Sequence, residues 1–328
     1  MKKTLSYLVA FTLFITACNK SVVENQDDAS AFETNSVSQR ECGAMEVLQQ
    51  DLLNDPQLQN RMNDIERFTQ NAIQSGIQQR LVNGVIEIPC VVNVIYKTST
   101  QNISDAQIQS QIDVLNEDFN LTNADHVLTP TIFSAVKANV GIRFVLEKTV
   151  RKYSSKRSWS TNNDMKKSSK GGIDPTTPTT HLNLWVVNKM TSGGQTILGY
   201  AQFPGGASAT DGVVIGYNFF GRVGTLSAPF NKGRTATHEV GHWMNLRHIW
   251  GDATCGTDYV DDTPLHNTAN YGCPAAGHKS TCTGTPVEMT MNYMDYTDDN
   301  CMYMFSNGQK SRMLAIFAAG GPRALMGQ

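Results

Sequence analysis

From Val85 onward the apolar positions change their period several times. "VIEIPCVVNVIY" is a nearly continuous apolar run and predicts a buried strand. "SDAQIQSQIDVLNEDFNL" spaces Ile, Val, Leu and Phe three and four apart, which predicts an amphipathic helix N-capped by Ser104. "IRFVLEKTV", "HLNLWVV" and "GVVIGY" predict further strands, and the glycines of "GGQTILGYAQFPGG" predict turns around a short edge strand. After a helix near residue 240, regular patterning fades until "SNGQKSRMLAIFAA", a terminal helix. Ahead of Val85, residues 44 to 79 carry Leu, Met, Ile and Phe at helical spacing amid Gln and Asn, a helix broken once at Pro56. Residues 19 to 39 are polar and short of aromatics, as a tether would be.

The first residues follow another logic. "MKKTLSYLVAFTLFITAC" sets two lysines before an apolar run from Leu5 to Ile15 and small residues before a cysteine, the layout of an export signal. "ITAC" resembles a bacterial lipobox, which implies cleavage before Cys18 and lipidation of its sulfur; an ordinary signal peptide or a short buried helix are the alternatives. Nothing else in the chain approaches the ~18 uncharged apolar residues of a membrane span, so attachment by a lipid anchor alone is expected. The balance of 27 basic against 29 acidic residues, a net charge of −2, creates no field that favours nucleic acid. One basic cluster, Lys148 to Lys170, interleaves its charges with Ser, Asn and Gly and reads as a solvated loop.

Export permits disulfides, and the cysteines sort accordingly. Cys255, Cys273, Cys282 and Cys301 form an even set in a loop-rich stretch, suited to two bridges in any of three connectivities. Cys90, inside an apolar run, reads as a small buried hydrophobe. Cys42 sits outside any apolar run.

Three of the seven histidines fall within "THEVGHWMNLRHIWGD", residues 237 to 252. On a helix, residues four apart share a face, so His238 and His242 can point at one ion while Glu239 flanks it. That arrangement suits zinc with a carboxylate placed to act on water. His248 lies too far along a continuing helix to join them. Asn245 tolerates the left-handed conformation that ends helices, so a turn there would return His248 as a third nitrogen ligand. Three neutral histidines leave one coordination position open, as in catalytic rather than structural sites.

"HEVGHWMNLRH" resembles the long zinc signature of the metzincin metallopeptidases, with Asn245 where most members carry Gly. "GRTATHEVGHW", "LRHIWGD", "MNYMDYTDDNCMYMF" and the upstream "GYAQFPGG" with "TDGVVIGY" narrow the likeness to the pappalysin family and its ulilysin-like branch, over roughly residues 86 to 328. The resemblance implies an α+β fold with a twisted, mostly parallel sheet, an antiparallel edge strand, an active-site helix and a loop-rich C-terminal subdomain. It implies a latent zinc endopeptidase acting on protein or peptide substrates, with Glu239 as general base and Tyr296 able to hydrogen-bond the reacting carbonyl. Met294 matches the methionine of the turn beneath the zinc. Asp299 matches the base of the pocket after the scissile bond and would select Arg or Lys. "RECGA" resembles the prosegment motif in which Cys42 occupies the open zinc position.

The likeness also implies Cys255 paired with Cys282 and Cys273 with Cys301, and calcium held by Asp258, Asp262 and Thr263. The expected organisation is a signal at 1–17, tether at 18–39, helical prosegment at 40–79 and catalytic domain at 80–328, whose subdomains meet near residues 244 and 245. Autolysis between Gln79 and Arg80 would release the prosegment. The expected product is a monomeric bacterial outer-membrane lipoprotein, periplasmic or at the cell surface. Its rivals are a noncatalytic zinc-binding lipoprotein on the same scaffold and a zinc hydrolase acting on another bond.

Overall fold

The computed structural model describes residues 37–76 and 85–326. The export signal, Cys18, most of the tether and the Gln79–Arg80 bond lie outside the described residues. Two helices come first, α1 (Ala44–Asn54) and α2 (Leu58–Ser75), with Pro56 between them as its missing N–H requires. Gly76 ends α2 at φ 64°, a left-handed cap that glycine adopts without Cβ strain.

The next elements follow the hydrophobic pattern closely. Strand β1 (Ile86–Tyr96) leads to α3 (Asp105–Phe119), where the Ser104 hydroxyl accepts from the Gln107 amide at 3.1 Å. Strands β2 (Ile142–Tyr153) and β3 (Leu182–Val187) follow. A small hairpin of β4 (Met190–Ser192) and β5 (Gln195–Ile197) then leads into β6 (Gly199–Ala201) and β7 (Val213–Gly216). The main sheet has the order β2-β1-β3-β7-β6. Its first four strands are parallel, and β6 runs antiparallel at one edge. Both faces of β3 and β7 are buried, which is why those strands read as apolar runs interrupted only by Asn183 in β3.

Beneath the sheet lies α4 (Arg234–Trp243), every residue of which is buried. It ends as the histidine spacing requires. Asn245 adopts φ 73°, its amide donates to the His242 carbonyl at 2.9 Å, and the Leu246 amide donates back to Gly241 at 3.0 Å. This paired closure of a helix end turns the chain sharply toward His248. The remaining chain is irregular until α5 (Asn307–Ala315), which opens with a reciprocal capping box between Ser306 and Gln309. Bonds between Cys255 and Cys282 and between Cys273 and Cys301 cross-link that irregular region. Ordering such a stretch by cross-links makes sense where few ladder hydrogen bonds exist to do it.

The basic cluster differs from expectation in one respect. Lys166 is fully buried, donating to the Thr210 carbonyl at 2.7 Å and lying 4.8 Å from the Tyr200 ring centre. The interleaved Ser and Gly residues hid a lysine whose stem packs inside while its ammonium finds a carbonyl. Among the described residues, no helix is long and apolar enough to cross a membrane.

Candidate active site

The site is built on α4, the turn after it, the segment around Met294 and the edge strand β6. His238 and His242 project from one face of α4, and the Asn245 turn returns His248 to them. The Nε2 atoms of His238 and His242 are 3.2 Å apart, and those of His242 and His248 are 3.1 Å apart. Each ring's other nitrogen is engaged as a donor. His238 Nδ1 faces the Tyr293 carbonyl at 2.7 Å, His242 Nδ1 the Leu246 carbonyl at 2.8 Å, and His248 Nδ1 the Asp252 carboxylate at 2.5 Å.

These partners hold the protons on Nδ1 and leave three Nε2 lone pairs converging on one point. No hydrogen bond can join such nitrogens without disturbing that pattern, whereas a cation satisfies all three. Tetrahedral zinc with bonds near 2.05 Å would set its nitrogens about 3.3 Å apart, close to the spacing present. Burial, then the neighbouring rings, holds the His238 and His242 pKa values well below the ordinary imidazole value, which favours the neutral ligand form. The donor set therefore fits zinc. Cys42 Sγ joins the same cluster, in which all four potential ligand atoms lie within 4.8 Å of one another.

Glu239 sits beside this cluster and is 1% exposed. Burial pushes its carboxyl up to about 8, opposed by a hydrogen bond from Cys42 and by the Arg40 charge. The Cys42 thiol donates to Glu239 Oε2 at 3.3 Å. Burial, then the Glu239 charge, pushes that thiol well above its usual value, a tendency that a divalent cation at the histidines would reverse. Gly199 of β6 is required here, since a Cβ at that position would lie 2.9 Å from Glu239 Cγ and 2.8 Å from Ile215. Met294 supports the helix from below. A Cβ on Gly241 would come within 2.5 Å of its sulfur, so only glycine lets the two approach.

The chain before α1 lies along the free edge of β6. The Leu198 amide donates to the Glu41 carbonyl and the Gly43 amide to the Gly199 carbonyl, both at 2.9 Å, which makes a short parallel bridge. The Tyr296 hydroxyl approaches the Cys42 carbonyl at 3.5 Å, and burial raises its pKa well above the usual tyrosine value. Asp299 is fully buried and accepts from Arg40 Nη2 at 2.6 Å and from the Lys232 amide at 2.7 Å. Arg40 also donates to the Thr235 hydroxyl at 3.1 Å and to the Thr297 carbonyl at 3.3 Å, with its guanidinium 5.0 Å from the Phe230 ring centre.

The oxygen donors expected for calcium stand apart from this centre. Asp258 is 5% exposed, accepts from the Thr263 hydroxyl at 2.9 and 3.0 Å, and is pushed by burial up to about 6. Asp262 accepts from the Ser306 hydroxyl at 2.6 Å and the Gly308 amide at 2.8 Å, anchoring the start of α5.

Several contributors escaped the motif reading. Asp252 orients His248 and could have been suspected, because a metal-binding histidine commonly gives its second N–H to a carboxylate. Trp250, stacked on His248 with ring centres 4.3 Å apart, had no separate sequence signal. Arg40 stood inside a quoted motif, but its distant partner is visible only in the fold.

Comparison with known proteins agrees with this geometry. The family model described as pregnancy-associated plasma protein-A, peptidase M43, matches residues 173–318. An extracellular metalloprotease of Arthroderma gypseum is 31% identical over 276 residues, covering 79% of this chain and 81% of the relative. One from Pyricularia oryzae is 36% identical over 227 residues, covering 66% and 68%. Among solved structures, Tannerella forsythia mature mirolysin in complex with a cleaved peptide aligns with a TM-score of 0.71 at 45% identity, covering 74% of this chain and 96% of that one. A Tannerella forsythia promirolysin mutant aligns at 0.78 and 42% identity, covering 88% and 97%. With its mostly parallel sheet, antiparallel edge strand and histidine helix, this chain belongs to the M43 peptidases, the pappalysin family of metzincin metallopeptidases.

Proposed function

We propose that this chain is the latent precursor of a secreted zinc endopeptidase whose mature form cuts before arginine, or lysine. The observation that carries the reading is the simultaneous placement of Cys42 among the three histidines and of Arg40 on Asp299. A prosegment that plugs a cleft does so best by presenting the groups the cleft is built to hold. The relatives' names, extracellular metalloprotease and promirolysin, support export and latency.

His238, His242 and His248 would hold zinc, with Cys42 as fourth ligand in the latent form. Bound zinc supplies Lewis acidity toward the carbonyl and eases ionisation of water. The chain's own residues do the rest. An extended substrate would take the place of residues 41 to 43 along β6, adding backbone hydrogen bonds as an extra strand. Glu239 accepts the proton of the attacking water and passes it to the departing amine, a role supported by its place beside the ligand cluster. Tyr296, now facing a backbone carbonyl of the prosegment, would donate to the carbonyl oxygen as charge develops there. Met294 serves as an apolar floor.

The domain organisation belongs to the same reading: signal at 1–17, tether at 18–39, prosegment at 40–79, released at Gln79–Arg80, and catalytic domain at 80–328. Anchoring through Cys18 as an outer-membrane lipoprotein, and a monomeric state, rest on the sequence expectations alone. The noncatalytic alternative is disfavoured by the intact Glu239 beside the ligand cluster.

Glu239→Ala should retain stoichiometric zinc by metal analysis yet lose about 10²–10⁴-fold in casein cleavage, the usual contribution of a positioned general base; near-normal turnover would refute the role. Cys42→Ala should shorten the lag before activity appears when the precursor is incubated alone, and a lag equal to the parent's would remove the thiol from latency. In a peptide library, the mature enzyme should cut before Arg and Lys, and Asp299→Asn should lower kcat/KM for those substrates by about tenfold or more. An unbiased cleavage profile rejects the pocket. Calcium at Asp258, Asp262 and Thr263 rests on the sequence resemblance, with Asp258 and Thr263 in contact; EGTA should then lower the melting temperature and added calcium, but not zinc alone, restore it, and an unchanged melt excludes the ion.

A further inference from the structure

Among the described residues, two charges of the prosegment form ion pairs with the catalytic domain, and the proposed function uses only Arg40. The other is Glu66, on α2. Arg312 of α5 is 1% exposed and forms a forked pair with it, Nη1 to Oε1 at 2.9 Å and Nη2 to Oε2 at 2.8 Å. Arg312 Nη2 also reaches the Asn245 carbonyl at 3.4 Å, inside the turn that delivers His248. Arg247 of that same turn lies over the Phe203 ring, 4.8 Å from its centre. Although burial would raise the Glu66 pKa, the hydrogen bonds and charge of Arg312, with Arg247 adding to them, hold it below the ordinary glutamate value.

Arg312 thus pairs directly with one prosegment carboxylate, and Arg247 adds a weaker charge interaction from nearby. A cavity between α2 and the catalytic domain is lined by Met62, Glu66, Pro204, Asn245, Arg247 and Tyr259. Among the described residues, Glu66 is the only carboxylate ion-paired with Arg312, and Arg247 has no ion-pair partner. The nearby acids have hydrogen-bond partners of their own, although Asp252 is also the leading charge neighbour of Arg247 and Asp258 lies within the field of Arg312. Asp252 accepts from His248, and Asp258 accepts from Thr263 and the Val260 amide.

The position of this group relative to the cleft gives it meaning. Asp299 binds the Lys232 and Arg234 amides at the N-terminal end of α4, whereas Asn245 and Arg247 lie just past its C-terminal end. His238, Glu239 and His242 stand between. A ten-residue helix is about 15 Å long, which an extended peptide crosses in about four or five residues. Phe203, two residues past the end of β6, packs near His242 with ring centres 5.2 Å apart and leads from the substrate edge to Arg247. If Asp299 receives the residue after the scissile bond, the arginines face residues before it.

We propose that Arg247 and Arg312, uncovered when Glu66 departs with the prosegment, form a second specificity site that takes an acidic side chain about two to four residues before the cut. The inference rests on the reading that the prosegment leaves and that Asp299 marks the other side of the scissile bond. The carboxylate of Glu66 shows the mode of recognition: a fork onto Arg312, with Arg247 adding long-range attraction. Loss of Glu66 would leave the Arg312 guanidinium without its forked partner, a place that an acidic substrate residue can take. Tight binding of the prosegment and selection of substrate then use the same contacts.

The test uses mature enzyme obtained by activating the full chain, with quenched fluorescent peptides carrying Arg after the cut and Glu, Gln or Lys at the second, third or fourth residue before it. At one of these positions Glu should exceed Gln by about tenfold in kcat/KM, mainly through KM, and Lys should fall below Gln. Arg247→Glu should diminish or invert that order while Arg247→Lys largely preserves it, and added salt should compress the difference. Equal rates for Glu, Gln and Lys at all three positions overturn the proposal, as does an Arg247→Glu enzyme with the parent's order. A parallel series replacing Arg after the cut with Leu reports on Asp299 alone. Loss of discrimination there, with the acidic preference intact, would fault the pocket reading and leave this site standing.

Discussion

Three imidazole nitrogens bring their lone pairs together in a space closed to water, and much of the surrounding structure serves to keep them there. Each ring is fixed through its far nitrogen, two by backbone carbonyls and one by Asp252. Those bonds decide the tautomer, and the tautomer decides that the near nitrogens face one another as acceptors. Such a cluster is unfavourable by itself and becomes favourable around a cation. The fold opposes the repulsion with close packing. Gly241 admits the Met294 sulfur against α4, Trp250 stacks on His248, and the Asn245 turn closes two backbone hydrogen bonds where the helix stops.

The prosegment can be understood against the same arrangement. Residues 40–76 contact the rest of the fold by groups of complementary kind along the length of α4: a guanidinium at the acid near its N-terminal end, a thiol at the histidines, and a carboxylate on Arg312 beyond its C-terminal end. Between them, apolar side chains Ala44, Leu48 and Leu58 cover Phe203. Backbone hydrogen bonds to β6 add a directional constraint that side chains alone would not. A chain docked through ionic, metal-directed and apolar contacts at once can be specific without any one of them being very strong, because misplacing the segment strands a buried charge.

Burial tunes the chemistry in the same region. The protein interior raises the Glu239 carboxyl up to about 8, while the Cys42 hydrogen bond and the Arg40 charge oppose that shift. Gly199 allows that carboxyl to sit against the edge strand, so β6 and Glu239 are positioned by one close approach.

Much was legible in the chain itself because it depends on local periodicity. The strands from Ile86 to Gly216, the cap at Ser104, the break at Pro56 and the helix carrying His238 and His242 follow from spacing and turn chemistry over a few residues. The left-handed turn at Asn245 was readable for the same reason. What the fold alone decided are pairings across long sequence separations: Arg40 with Asp299, Glu66 with Arg312, Met294 beneath Gly241 and Glu239 against Gly199. Lys166, buried despite a setting of Ser and Gly, belongs with them. No local pattern encodes such contacts, since an ion pair or a missing Cβ acquires its meaning only when packing brings a distant partner within a few ångströms.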